Sequence, residues 1–354
     1  MKNISATNQI GNYENIEPHV LPPSNPDELA ALVSYELRTP LTSIRGALGL
    51  LLSGQLGPLP KQSKRLLEIA VNNTDRLVRL TAALESEREF QPSILNAAAM
   101  ARFQMEKDLR LALARQEFLL YYQPIVCLET GRINGFEALV RWEHPQRGMI
   151  SPAEFIPLAE ETGLIKPLGA WVLQEAVAQL KSWQQEFPIN PPLTISVNLS
   201  SLQLSQPDLV EQVKQILQEN PVIFRTLRLE ITESTIMENQ ETAAATLREL
   251  KDLGIELYID DFGTGYSSLS RLHELPIDVM KIDRSFVSQK KWDIIWAIMI
   301  LASSLGLEVI AEGIETEAEI ASLKNLGCNL GQGYFYSRPV DNLAATVLIA
   351  AQFQ

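Results

Sequence analysis

The chain is short of the residues that mark most redox and transition-metal proteins. Its 354 residues hold two cysteines, Cys127 and Cys328, and three histidines, His19, His144 and His273. The cysteines lie far apart without CxxC spacing, which excludes a zinc ribbon and a local disulfide framework and fits free thiols in a reducing compartment. Positive charge is also in deficit. The net charge of −13 and the pI near 4.9 exclude a basic field able to grip long nucleic acid. A small anion remains admissible if a metal or a local Arg or Lys holds it. Long apolar runs are missing too. The longest uncharged apolar stretch, about Ile294 to Leu307, falls short of the ~18–20 residues a spanning helix needs and reads as a buried helix leading into a strand. The segment MKNISATNQIGNYENIEPHV lacks the apolar core of a signal peptide. These absences predict a cytoplasmic protein with no membrane span.

What is present is ordinary for a folded protein, with 46% hydrophobic and 21% charged residues, and long enough for one large domain plus a smaller one. Residues 1–26 are polar, end in Pro22, Pro23 and Pro26, and read as a disordered tail. Asp27 then looks like a helix cap. Leu29, Leu32, Leu37, Leu41, Ile44, Leu48 and Leu51 recur at steps of three to five, the stripe of an amphipathic helix with a kink expected at Pro40. Gly54 to Pro60 breaks the chain. A second stripe, Leu66, Ile69, Leu77, Leu80 and Leu84, predicts a return helix to about Arg88. A helical hairpin over 27–90 cannot bury both stripes alone, and pairing into a four-helix dimer is the simple solution. Gln91 and Pro92 mark a junction, and 91–116 reads as a connecting helix able to carry changes in the hairpin onward.

From 117 to 354 extended and helical segments alternate. The extended ones are FLLYYQPIV, INGFEALVRW, LTISVNLS, LRLEIT, ELYIDD, VMKID, EVIAEG and GQGYFY. Eight such strands predict an α/β fold, a TIM-like (β/α)8 barrel. The first two are joined by CLETGR, too short for a crossover helix, so the barrel is modified by one antiparallel strand. Functional groups of such barrels gather at the C-terminal strand ends. Glu137, Asn198, Glu230, Asp260, Asp261, Lys281, Glu312 and Gln332 all fall there. Singly, each has a bland explanation: a capping Glu, a turn before Gly. Together they do not, because converging carboxylates need compensating cations. Six of the eight are oxygen donors suited to Mg²⁺ or Mn²⁺, and two such ions close together can activate water and clamp a phosphodiester. Lys281 can hold the attacking water or neutralise developing charge.

Two resemblances follow from these residues. SYELRTPLTSIRGALGLL resembles the dimerisation and phosphoacceptor hairpin of histidine kinases, with ELRTPL (Glu36 to Leu41) intact and Tyr35 where that family has its histidine. The resemblance implies a dimerisation module without phosphotransfer. EALVRW, NLS, EITES, DDFGTGYSSL, LPIDVMKID, AEGIET and QGYFYSRP resemble, in order, the EAL family of cyclic di-GMP phosphodiesterases. That resemblance implies hydrolysis of cyclic di-GMP to linear pGpG with two Mg²⁺ or Mn²⁺ ions. It implies metal ligands at Glu137, Asn198, Glu230, Asp260, Asp261 and Glu312, a catalytic Lys281, and an additional proton-transfer role for Glu312. It further implies substrate contacts from Gln123, Arg141 and Gln332, and Glu233 as anchor of the DDFGTGYSSL loop. The segment after Val287 is shorter than the family's, in a region near a dimer contact in related proteins. The expected partners are cyclic di-GMP, a second copy through hairpin and barrel, and a histidine kinase or upstream sensor. The competing readings are a receptor that binds the dinucleotide uncut, and a scaffold for a true histidine kinase. No cyclase motif is present.

Overall fold

The computed structural model describes residues 40–49, 92–233, 235, 240–263 and 275–353, with isolated positions at 51, 63, 67, 70, 71, 74 and 77. The chain divides into two compact units, Met1–Met100 and Ala101–Gln354. In the first, residues 40–49 are helical, and Thr74 Oγ1 donates to Ala70 O at 2.8 Å, the back-bond of a helical turn. The tail, Tyr35, the Gly54–Pro60 break and most of both hairpin helices lie outside the described residues, as does the residue preceding Pro40.

The second unit is the barrel. Its strands are β1 (Phe118–Cys127), β2 (Ile133–His144), β3 (Gly148–Ile150), β4 (Thr194–Asn198), β5 (Leu227–Thr232), β6 (Glu256–Phe262), β7 (Val279–Ile282), β8 (Glu308–Ala311) and β9 (Leu330–Gly331). Their order is β1-β9-β8-β7-β6-β5-β4-β2-β3, and β1 also pairs with β2. That extra pairing closes eight strands into a ring, with β3 a short hairpin extension of β2. β1 runs antiparallel to both its neighbours, and the remaining ring pairs are parallel. The tight Cys127–Arg132 turn dictates this, because Gly131 sits at φ 69° and leaves no chain for a crossover.

The helices are α1 (Pro92–Ala112), α2 (Pro152–Thr162), α3 (Ile165–Glu186), α4 (Ser201–Leu204), α5 (Leu209–Glu219), α6 (Gln240–Asp252), α7 (Arg284–Ser288), α8 (Trp292–Leu305), α9 (Glu317–Asn325) and α10 (Asn342–Ala350). Their boundaries follow local chemistry. Ser200 and Thr316 close capping boxes with Gln203 and Glu319, and Gly163 and Gly306 end α2 and α8 in the left-handed region. No described helix is long and apolar enough to cross a membrane. The expected GQGYFY strand is corrected. β9 stops at Gly331, and the chain turns at once because the Tyr336 N–H donates to Gly333 O at 3.1 Å and the Phe335 N–H to Ile314 O at 3.0 Å.

Outward-facing strand residues such as Ile195, Val197, Leu229 and Ile231 are buried against helices in the main core. The inward residues alternate with them and stack in layers. A middle layer of Ile125, Tyr258, Val279 and Ile310, with Leu330 against it, forms an apolar cluster of its own. One step further toward the C-terminal strand ends the inward positions become Gln123, Glu137, Asn198, Glu230, Asp260 and Lys281. The apolar layer is therefore the floor on which the polar one rests.

Candidate active site

Register brings the polar layer together. Gln123 faces Glu137 across β1–β2, and Asn198 faces Glu230 across β4–β5. Lys281 is fully buried at the centre. Its Nζ lies 2.6 Å from Glu230 Oε2, 2.6 Å from Glu312 Oε1, 3.2 Å from Glu137 Oε2 and 3.3 Å from Asp260 Oδ1. Burial alone would lower the lysine pKa, but Asp260, Glu137, Glu230 and Glu312 outweigh it and hold it well above the ordinary value. Lys281 is therefore a fixed cation.

The carboxylates divide into two behaviours. Burial acts to raise the Glu137 pKa, yet Lys281 and hydrogen bonds from Gln332 (2.8 Å) and Asn198 (2.9 Å) bring it below the usual value. Glu230 moves well upward, first through burial and then through the Glu137 and Asp260 charges, against Lys281. Glu312 is pushed up to about 7 by burial, with Asp260 and Glu137 adding to the rise and Lys281 opposing it. Five carboxylates around one ammonium leave four formal negative charges; burial is the first cause of each upward shift, and the neighbouring carboxylates add to it.

Asp260 and Asp261 are neighbours on one strand and ought to point to opposite faces. They do not, because β6 carries an irregularity here: Ile259 pairs with Met280 but Phe262 with Ile282, so β6 uses one residue more than β7. The extra residue is Asp261, in the left-handed region at φ 55°, a conformation Asp tolerates better than most. One ligand atom each of Asp260, Asp261 and Glu312 then falls within 4.8 Å of the others, a trio able to hold a cation. Burial raises the Asp261 pKa, helped by Asp260 and Asp283. Glu233 lies beneath this turn. Its Oε2 accepts from the Gly263 N–H at 3.3 Å, and Gly263 has φ 94°. Residues 264–274, including Tyr266–Leu269 and Gly265, lie outside the described residues.

Further out, the Gln123 amide donates to Ser337 O at 3.3 Å. The Arg141 guanidinium donates to Val140 O at 2.8 Å and stacks on Tyr121 at 5.6 Å. Gln332, expected only as a ligand contact, also bridges Glu137 Oε2 and Glu312 Oε1, both at 2.8 Å. Two residues escaped the sequence reading. Asp283 ends the KID motif, faces Asp261 and caps α7 by accepting from the Ser285 N–H at 3.0 Å; its place after Lys281 was the available signal. Tyr121 had none, since only the β1–β2 register puts it under Arg141. Beside the acidic ring a cavity of ≈ 310 Å³ opens between Arg141, Asn198 and Glu230 and apolar side chains of α2 and α3, among them Ile156, Leu168 and Val172.

Residues 106–339 match the EAL domain family, about two thirds of the chain. The chain belongs to the EAL domain family. Residues 27–89 match the His Kinase A (phospho-acceptor) domain, and this stretch contains no histidine. Among curated relatives, the bifunctional diguanylate cyclase/cyclic di-GMP phosphodiesterase MucR of Pseudomonas aeruginosa is 43% identical over 265 residues, covering 73% of this chain and 38% of MucR. The cyclic di-GMP phosphodiesterase PdeR of Escherichia coli is 40% identical over 245 residues, covering 68% of this chain and 36% of PdeR. The matched part of the chain thus spans well under half the length of these relatives. Among solved structures, the PaMucR phosphodiesterase in complex with c-di-GMP superposes with a TM-score of 0.65 at 43% identity, over 68% of this EAL chain and 99% of that one.

Proposed function

We propose that this EAL chain hydrolyses one phosphodiester bond of cyclic di-GMP, releasing linear pGpG, with two divalent cations, Mg²⁺ or Mn²⁺, at the acidic ring. The observation that carries the reading is the four-charge surplus, which two divalent ions would cancel. Donor chemistry fits: every candidate ligand is a hard oxygen. Orphaned atoms fit too, since the buried Glu230 Oε1 and Gln332 Oε1 accept no hydrogen bond. Glu137, Asn198, Glu230, Asp260, Asp261 and Glu312 are the proposed ligands. When bound, such ions lower the pKa of water and polarise a phosphoryl oxygen.

The chain's own groups do the rest. Lys281, fixed and charged, orients the attacking water and neutralises charge developing on phosphorus. Glu312, at the rim of the acidic ring, is the proposed acceptor of the proton from the attacking water. Arg141 presents a flat fork to a phosphate, a geometry guanidinium matches better than ammonium. Gln123 and Gln332 contact the dinucleotide, and Glu233 holds the turn that aims Asp260 and Asp261. Incubation of the purified chain with cyclic di-GMP and Mg²⁺ should yield pGpG. Tight binding without product would instead support the receptor reading, which the loss of the phosphoacceptor at Tyr35 favours.

The proposed active form is a cytoplasmic homodimer joined through the hairpin and the barrel, taking its input from a histidine kinase or an upstream sensor. On the barrel, α8 leaves Trp296 56% and Ile300 50% exposed one turn apart, an apolar stripe suited to a second copy. Light scattering should show weaker dimers for residues 95–354 than for the whole chain; equal dimers would remove the hairpin from the proposal.

A further inference from the structure

A cyclic dinucleotide carries two phosphodiester groups, and the acidic ring accounts for one. Directly after Gln332 the chain forms a fixed lip. The Ser337 N–H donates to Gly333 O at 3.3 Å, and Val340 pairs with Tyr122 of β1. Only glycine fits at 333, where a Cβ would stand 2.1 Å from Ile314 O. Gln123, from the mouth itself, ties the lip down through Ser337 O.

On this rigid segment Tyr334 is 51% exposed, and the exposed Arg338 stacks its guanidinium over the Tyr334 ring at 4.6 Å. At the same mouth Arg141 rests on the Tyr121 ring. Two ring–cation pairs, Tyr121 with Arg141 and Tyr334 with Arg338, thus stand on segments that contribute Gln123, Glu137 and Gln332 to the mouth. Among the described residues Arg338 makes no ion pair, in a chain of net charge −13 where carboxylates are plentiful. A guanidinium held by its face keeps its edge N–H donors available for an anion.

We infer that Arg338, presented by Tyr334, is a specificity-determining contact for the phosphodiester of the dinucleotide that is not cut. The inference rests on the phosphodiesterase reading. The test compares wild type, Arg338→Ala and Arg338→Lys as full chains on cyclic di-GMP and on bis(p-nitrophenyl) phosphate, which has a single phosphodiester. Arg338→Ala should lower the ratio of the two kcat/KM values about tenfold, the scale of one lost charge-assisted hydrogen bond, chiefly through KM. Arg338→Lys should recover part of the ratio, because it keeps the charge and loses the flat stacked fork. A ratio unchanged in Arg338→Ala overturns the inference, including the case where both activities fall together. Calorimetric binding of cyclic di-GMP separates the two claims. If wild type binds without cleaving, the function proposed above fails, and a tenfold weaker Kd in Arg338→Ala still supports the arginine contact, whereas an equal Kd overturns it.

Discussion

The two ends of the barrel carry charge in opposite ways. At the N-terminal end, buried Arg228 donates to Glu256 Oε2 at 3.1 Å and to Asn134 Oδ1 at 3.2 Å and stacks on Tyr258 at 5.2 Å. Arg225 reaches Glu256 at 3.3 Å, Lys251 reaches Asp278 at 2.5 Å, and Asp278 Oδ2 also accepts from the Leu257 N–H at 2.9 Å. Three cations meet two carboxylates, and each carboxylate has cationic partners. At the mouth one lysine serves five carboxylates, and buried oxygens are left without hydrogen bonds. The apolar layer around Tyr258 and Val279 separates the two. Tyr258 Oη, whose ring carries Arg228, is likewise a buried oxygen without a hydrogen bond, so the two ends differ in charge balance: the lower network matches its carboxylates with cations, and the mouth does not.

The contrast should break most visibly at Glu137. Glu137→Ala is expected to lower turnover of cyclic di-GMP by more than about 10²-fold, beyond the ~10–100-fold typical of losing an outer partner of a metal ligand. Its thermal midpoint should move far less than that of a substitution at the other end. Normal turnover in this variant would mean that the acidic ring is not the reaction centre.

Arg228→Ala tests the other side of the comparison. It removes a buried guanidinium with its bonds to Glu256 and Asn134 and leaves Glu256 to Arg225 alone, so a loss of about 1.5–3 kcal/mol in unfolding free energy is expected. kcat per folded molecule should stay within about twofold. A strong loss of kcat with normal stability would mean that the two ends are not separate after all.

These two predictions also mark what the sequence made legible. The strand-end acids were readable because inward positions alternate and end in register, so Glu137, Asn198, Glu230 and Lys281 could be placed without coordinates. The antiparallel β1 followed from a six-residue linker. Three features were not readable. The extra residue that turns Asp261 back toward Asp260 depends on a left-handed backbone at a non-glycine position, which nothing local announces. The balanced network of Arg225, Arg228 and Lys251 joins residues from three strands and a helix, and in sequence each looks like an ordinary surface charge. GQGYFY looked extended because aromatic residues favour strands, but the close approach of Gly333 to Ile314 imposes a turn that propensity cannot see.

The smallest effect is the most specific to the charge surplus, and it concerns the metal-free protein. Glu312 has a folded pKa near 7, against an ordinary value of 4.5. A carboxyl raised in this way binds more protons folded than unfolded across that interval. Its favourable contribution is therefore complete below about pH 4.5 and is lost as pH rises toward 7. The lowered Glu137 works oppositely, gaining stability as its unfolded form ionises, but it is common to both proteins and cancels in a comparison with Glu312→Gln. Relative to Glu312→Gln, metal-free wild type should lose on the order of 3 kcal/mol of stability between pH 4.5 and 7, less if neighbouring groups share the proton. Excess Mg²⁺ should remove the slope, since a divalent ion replaces the proton as the counter-charge and binds better as the carboxyls ionise. Parallel pH profiles for wild type and Glu312→Gln without metal would mean that the mouth is balanced by some other means, and the contrast between the two ends of the barrel would lose its physical basis.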